Sequence, residues 1–295
     1  MTIEINVTAA TIRKLSITSI NSAGSGHPGG ALSCADIMAC IFQEELGINS
    51  DWARNPARNR FILSKGHSCP AMYAAGSVMG LIEAKETYGL RHINHPAQGH
   101  PDVTSWPWVE TSTGSLGQGF SVAVGIALGL RHQSIDSSVY TLLGDGELQE
   151  GEVWEAAMSA AHFKLASLCA IIDYNKLQSD NLNENIMGLE PLADKWSSFG
   201  WNVLEINGHE IGQIREAFKT FRNESELPTV IIAHTIKGKG VSFMEKVPSW
   251  HGSVSMTDTQ TSDALKELGV PEHKLEGWIS GSIHGWESKE QGEKS

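Results

Sequence analysis

The stretch LLGDGELQEGEVWEAAM, from Leu142 to Met158, sets Asp145, Glu147, Glu150, Glu152 and Glu155 within about three helical turns. Glycines on both sides of Asp145 let the backbone turn tightly and approach a ligand, which in an α/β protein is usually a phosphate. Five carboxylates and no lysine are an odd setting for an anion. A second stretch, IIDYNKLQ, ends an apolar run with Asp173-Tyr174-Asn175-Lys176-Leu177. If the two runs are neighbouring strands, Asp145 and Asn175 reach one ion from adjacent strand ends. A carboxylate, a carboxamide and a backbone carbonyl suit Mg²⁺, which keeps phosphate oxygens and water as its other ligands. The protein then presents acid to the metal, and the metal presents charge to the phosphate. Alone, Gly-Asp-Gly reads more readily as an ordinary turn and Asn175 as a polar cap. The pairing of two strand ends about thirty residues apart favours the metal.

Those strand ends need a scaffold. Five short β-branched runs are bounded by polar or glycine breaks: 60–63, 139–143, 168–173, 202–206 and 230–235. Helical spacing occupies 9–22 (with Thr8 as N-cap), 35–46, 71–79, 116–132, 150–162, 192–199 and 211–222. The alternation predicts an α/β fold, a doubly wound and mostly parallel sheet that binds its ligand beyond the carboxyl ends of the strands. Residues 1–252 form the binding domain. Residues 253–295 are a polar extension with one short helix (262–268), and about the last ten residues are expected to be disordered. Gly89–Gly114 is irregular and rich in histidine. Trp106 and Trp108, in SWPWVE, either shape a channel or anchor the loop that follows.

Composition narrows the partners. The 295 residues carry 34 acidic and 22 basic side chains, a formal net charge of -12, which argues against nucleic acid or an anionic membrane. No apolar run approaches the roughly 20 residues of a membrane span. The 4 cysteines lack metal or disulfide spacing and read as reduced thiols of a cytoplasmic protein.

At GDGELQEG and IIDYNKLQ the chain resembles the transketolase family. SGHPGG (25–30), LSKGHS (63–68), GHP (99–101), ETSTGSLGQG (110–119) and HTIKGKG with WHG (234–252) follow in the family's order. Tyr174 stands where the family has the first of two asparagines. The resemblance implies the thiamine diphosphate-binding fold, with thiamine diphosphate and Mg²⁺ as cofactors (Ca²⁺ or Mn²⁺ as substitutes). It implies that Asp145, Asn175 and the carbonyl of Leu177 hold the metal and that Gly146 approaches the diphosphate. Gly114, Ser115 and Leu116 would meet the aminopyrimidine through their backbone. Gly117 and Gly119 read equally as ligand contacts or close helix packing.

The 12 histidines gain a purpose in this light. Transketolases pass a two-carbon ketol unit from a ketose to an aldose, and each step moves a proton on a sugar hydroxyl, work suited to imidazole. By resemblance His27 and His100 serve substrate hydroxyls, His67 the cofactor, and His251 both. His92, His95, His132, His162, His209 and His284 read as structural, and zinc at the 92/95/100 group lacks a fourth ligand. Glu150 and Glu155 either favour the start of a helix through its dipole or share protons across a subunit interface. Glu147 and Glu152 read as solvated.

Full-length transketolases are more than twice this long and carry the glutamate that activates the cofactor in a pyrimidine-binding domain. The chain is therefore expected to be the N-terminal subunit of a split enzyme, paired with a C-terminal subunit of roughly 300 residues in an A₂B₂ heterotetramer acting on sugar phosphates. Two other readings are a different thiamine diphosphate enzyme, either 1-deoxyxylulose-5-phosphate synthase-like or ketoacid-using, and a non-catalytic diphosphate-binding partner.

Overall fold

The computed structural model describes residues 4–179 and 181–282. Five strands, β1 (Arg60–Leu63), β2 (Val139–Gly144), β3 (Leu168–Tyr174), β4 (Asn202–Asn207) and β5 (Thr229–His234), form one all-parallel sheet in the order β1-β2-β3-β5-β4. The helices are α1 (Ile5–Ala23), α2 (Pro28–Ser33), α3 (Ala35–Cys40), α4 (Cys69–Val78), α5 (Gln118–His132), α6 (Gly151–His162), α7 (Asn183–Ile186), α8 (Leu192–Ser198), α9 (Ile211–Asn223), α10 (Asp258–Glu267) and α11 (Leu275–Ser280).

Strand alternation divides the core in two. Phe61, Tyr140, Leu142, Cys169, Ile171 and Ile231 face α1–α4 and α9. Ile62, Val139, Leu143, Ala170, Ile172 and Ile232 face α5, α6 and α8. Both faces are covered, so the central strands read as unbroken apolar runs, as a buried parallel sheet requires. The α/β doubly wound architecture is as the sequence implies. From β2 the chain moves across the sheet to β4 with α6 and α8 on one face, and returns from β4 to β5 through α9 on the other. Reversing direction and face together keeps the crossover hand constant.

Several boundaries differ. Helix α1 starts a turn before the expected Thr8 cap, because Ile5 is buried, and Thr8 lies inside it with Oγ1 donating to Gln43 Oε1 at 2.9 Å. The expected helix 35–46 is α3 followed by a π turn, Ile41–Glu45, that ends with Glu45 turned inward to accept from the Tyr140 hydroxyl at 2.7 Å. SGHPGG, read only as a motif, opens α2 with Pro28 at its first position, where a missing N–H costs nothing. Leu116 precedes α5, whose N-cap is Gly117 at φ 88°.

The segment after residue 252 folds back on the domain. Thr257 and Gln260 form a capping box that starts α10 earlier than the expected 262. Ala264, Leu265, Leu275 and Trp278 join the core around α1. The expected terminal disorder, and His284, lie outside the described residues. Among the described residues no helix is long and apolar enough to cross a membrane.

Candidate functional site

Loops after β1, β2, β3 and β5 meet over the carboxyl edge of the sheet around a narrow cleft. Asp145 follows β2 and is 2% exposed. Its Oδ1 accepts from Gly146 N at 2.8 Å, and its Oδ2 accepts from Lys176 N in the neighbouring loop. Lys176 holds φ at 66°, unusual for a residue with a side chain, and thereby bends the chain after β3. Asn175 Oδ1 accepts from Leu177 N at 3.1 Å. Asp145, Asn175 and Leu177 thus come together on one cleft, as the spacing requires. Tyr174, the departure from the family pattern, alternates to the opposite face and gives its hydroxyl to Glu190, so it leaves Asn175 where it is.

The site contains lysines after all. Lys237, from the HTIKGKG segment, is 3% exposed and donates to the Leu177 carbonyl at 2.6 Å and to His251 Nδ1 at 2.6 Å. Burial pulls its pKa down to about 8 against the pull of Asp145. Burial pushes Asp145 up to about 6, against the Lys237 ammonium and with help from the charge of Asp173. Beneath them Lys65 forms a buried ion pair with Asp173 and donates to Gly30 O at 3.0 Å. Asp173 also accepts from Ser33 Oγ at 2.6 Å and from the Thr235 hydroxyl. Burial opposes both charges, yet each partner's field wins, leaving Lys65 above and Asp173 below its ordinary range.

Glu147 is not solvated. At 2% exposure it accepts from the Ser64 hydroxyl, from Gly117 N at 2.9 Å and from Gly144 N at 3.0 Å, tying three loops together. Gly119 packs on Ser64, where a Cβ would stand 2.7 Å from the Ser64 Cα, so Gly119 serves helix placement. Gly114 lies beside His100, 3.1 Å from its Cδ2 if a Cβ is added, with Ser115 exposed and Leu116 half-buried.

His27, His67 and His251 form a triangle with ring centroids 5.2, 5.4 and 6.0 Å apart. Backbone ties assemble it: Gly26 pairs with Val254, and Gly238 N donates to Gly29 O at 3.0 Å. His100 is exposed at the mouth. Burial, then neighbouring cations, lowers His27 to about 4 and His251 to about 3. Burial also drives His67 well below its usual range, and burial with Arg91 lowers His100. These shifts favour uncharged rings at pH 7. Lys237 can only donate, so His251 Nδ1 accepts and its proton sits on Nε2.

Other sequence candidates stand apart. Glu150 is exposed as the N-cap residue of α6, without a side-chain cap bond, and Glu155 is exposed on the same helix. His209 is structural, with Nδ1 on Asp36 at 2.7 Å and Nε2 accepting from Ile236 N at 2.8 Å. Trp108 is 3% exposed and stacks with Trp106, so the pair anchors the loop. Lys65, Lys237, Asp173 and Glu147 are the residues that sequence reasoning missed. LSKGHS and HTIKGKG contained the lysines, but their contribution depends on which strand ends lie together.

The cleft fits a metal-bound diphosphate. Its oxygen donors are hard, and the Leu177 carbonyl already bears a cation. Near Gly146, Gln178 Nε2 and both amide atoms of Asn183 are buried without partners among the described residues. A Cβ on Gly146 would stand 3.1 Å from Gln178 and 3.8 Å from Asn183. Gln178 lines the cleft, and its unpaired Nε2 is a donor that an anionic ligand would satisfy.

Comparison with known proteins agrees. The family profile "Transketolase, thiamine diphosphate binding domain" matches residues 5–294. The chain is 38% identical to an apulose-4-phosphate transketolase subunit of Phocaeicola vulgatus, over 90% of this chain and 93% of that one. It is 39% identical to the 6-deoxy-6-sulfo-D-fructose transketolase subunit SqwG of a Clostridium species, over 90% and 96%. Transketolase from Leishmania mexicana superposes with a TM-score of 0.85 at 26% identity, covering 95% of this chain and 44% of that one. The chain belongs to the transketolase family, as a thiamine diphosphate binding domain of the kind that split enzymes carry on a polypeptide of its own.

Proposed function

We propose that this chain is the N-terminal half of a two-chain transketolase, moving a ketol unit from a ketose phosphate to an aldose. The observation that carries this is that His67 and His251 line one cleft with Asp145, Asn175 and Leu177, while His27 packs against both rings. In this reading Asp145, Asn175 and the Leu177 carbonyl hold Mg²⁺, while Gly146 N, His67, His251 and Lys237 receive the diphosphate. Gly114, Ser115 and Leu116 offer backbone groups to the aminopyrimidine. Thiamine diphosphate, when bound, supplies the carbon nucleophile that carries the two-carbon fragment. His27, His100 and His251 hydrogen-bond the sugar oxygens whose protons move, and the buried Lys65–Asp173 pair fixes the floor beneath them. Glu150 lies outside the imidazole cluster, and its proposed part is proton exchange at a subunit contact.

The partner is a second polypeptide carrying the pyrimidine-binding domain and the activating glutamate, in an A₂B₂ assembly. Two relatives named as transketolase subunits, each matched over nearly its whole length, support a separate partner chain. Four free, buried cysteines support a cytoplasmic home. Ketol transfer is to be assayed with the companion polypeptide, thiamine diphosphate and Mg²⁺, offering a ketose phosphate against pyruvate. Robust turnover by this chain alone would remove the two-chain reading, and preference for pyruvate would replace the transketolase reading.

A further inference from the structure

The loop between α4 and α5 spends unusual geometry on one side chain. Arg91 adopts φ 60°, a left-handed conformation costly for a residue with a Cβ, and its N–H is pinned to Ala97 O at 2.8 Å. Gly99 lies so close that a Cβ there would stand 2.8 Å from Arg91 Nε. The guanidinium is directed by Nη1, which donates to Ser25 Oγ at 2.6 Å, leaving Nη2 3.4 Å from His27 Nδ1. Among the described residues Nδ1 is the His27 ring nitrogen with a hydrogen-bond partner. The other edge of the ring lies along Gly252, where a Cβ would fall 2.1 Å from Cδ2.

We propose that Arg91 is a positioning residue that locks His27 in the tautomer with its proton on Nε2, so that the ring meets the sugar as a hydrogen-bond donor. The argument is one of inventory. A guanidinium has only donors and does not lose its proton, so the nitrogen it addresses must present a lone pair. A neutral imidazole with its lone pair on Nδ1 carries its hydrogen on Nε2. Burial and the Arg91 charge both keep the ring neutral at pH 7, which leaves that single hydrogen. His27 then stabilises charge developing on a substrate oxygen and does not take a proton through Nε2. Lys237 imposes the same tautomer on His251 from the opposite side, so two rings of the triangle present N–H edges. This inference rests on the transketolase reading for what the donor meets, but the tautomer itself does not.

The test is a two-bond ¹H–¹⁵N correlation spectrum of the full chain with ¹⁵N-labelled histidine, the His27 signals being assigned by their loss in His27→Asn. Wild type should show an unprotonated Nδ1 and a protonated Nε2. Arg91→Met should shift His27 towards a mixture of tautomers, and Arg91→Lys should restore the wild-type pattern in part. In the complete enzyme Arg91→Met should lower kcat/KM for the ketose about tenfold with thiamine diphosphate affinity unchanged, and Arg91→Lys should recover part of it. A wild-type His27 protonated on Nδ1, which needs no variant to detect, would overturn the proposal, as would an unchanged tautomer in Arg91→Met. An unchanged kcat/KM beside a changed tautomer would overturn the substrate half. A locked tautomer in a complex without ketol transfer would support the positioning and sink the transketolase reading instead.

Discussion

Replacing Asp173 by Asn removes the counter-charge of Lys65 while keeping shape. Lys65 is 1% and Asp173 0% exposed, so water cannot take over the role of the lost carboxylate. Breaking a buried pair by removing one partner costs about 3–5 kcal/mol, because the remaining ion is left desolvated. The ammonium has one escape, which is to shed its proton. From an ordinary pKa near 10.4 that costs about 4.6 kcal/mol at pH 7, so the penalty has a ceiling of about 5 kcal/mol. What remains for Lys65 is the Gly30 carbonyl at 3.0 Å and a neutral amide oxygen. For a chain of this size the loss should lower the thermal midpoint by roughly 5–8 °C, with a matching fall in the urea midpoint. Lys65→Met alone should cost less, because Ser33 and Thr235 still donate to the stranded carboxylate. The double replacement Lys65→Met with Asp173→Asn removes both charges, and should be more stable than the sum of the singles by about 2 kcal/mol or more. A shift under about 2 °C in Asp173→Asn, or strict additivity in the double variant, would refute the claim that this pair holds the floor of the site.

Asp145→Ala and Asn175→Ala, each combined with the companion polypeptide, should weaken thiamine diphosphate binding measured by calorimetry by at least tenfold, and chelation of divalent metal should do the same. Equal uptake in these variants would remove the metal assignment. Gly252→Ala should displace His27, since its Cβ would fall 2.1 Å from the ring, and so lower kcat/KM while cofactor affinity holds; a fully active variant would show the ring has room. Asp36, held below the usual carboxylate range against burial by His209 and Arg13, adds stability above its unfolded pKa that is lost as pH falls through its folded pKa. Asp36→Asn should therefore be less stable near neutrality and show a flatter loss of urea stability in acid. An acid limb as steep as in wild type would place that loss elsewhere.

What the sequence revealed and what it hid divide along a physical line. Strand runs such as Val139–Gly144 and Leu168–Tyr174 were legible because a sheet covered on both faces leaves unbroken apolar stretches, and Asp145 and Asn175 were legible because each follows one directly. Glu147 was misread from the same stretch. Its neighbours in sequence make it one acid among five, whereas its partners, Ser64 and Gly117, lie far away in the chain and bury it. Lys65 and Lys237 were hidden for the same reason: only the parallel sheet brings the ends of β1, β3 and β5 to one edge. Helix α1 began earlier than its polar cap signal because burial of Ile5 outweighs a threonine's capping preference, and Thr8 found a partner in Gln43 instead. The same logic bears on the histidines. Their number suggested proton transfer near neutrality, but burial and the cations of Arg91 and Lys237 hold His27 and His251 neutral far below pH 7. What the fold adds is a cation against one nitrogen of each ring, Arg91 at His27 Nδ1 and Lys237 at His251 Nδ1, and that pairing depends on loops far apart in sequence.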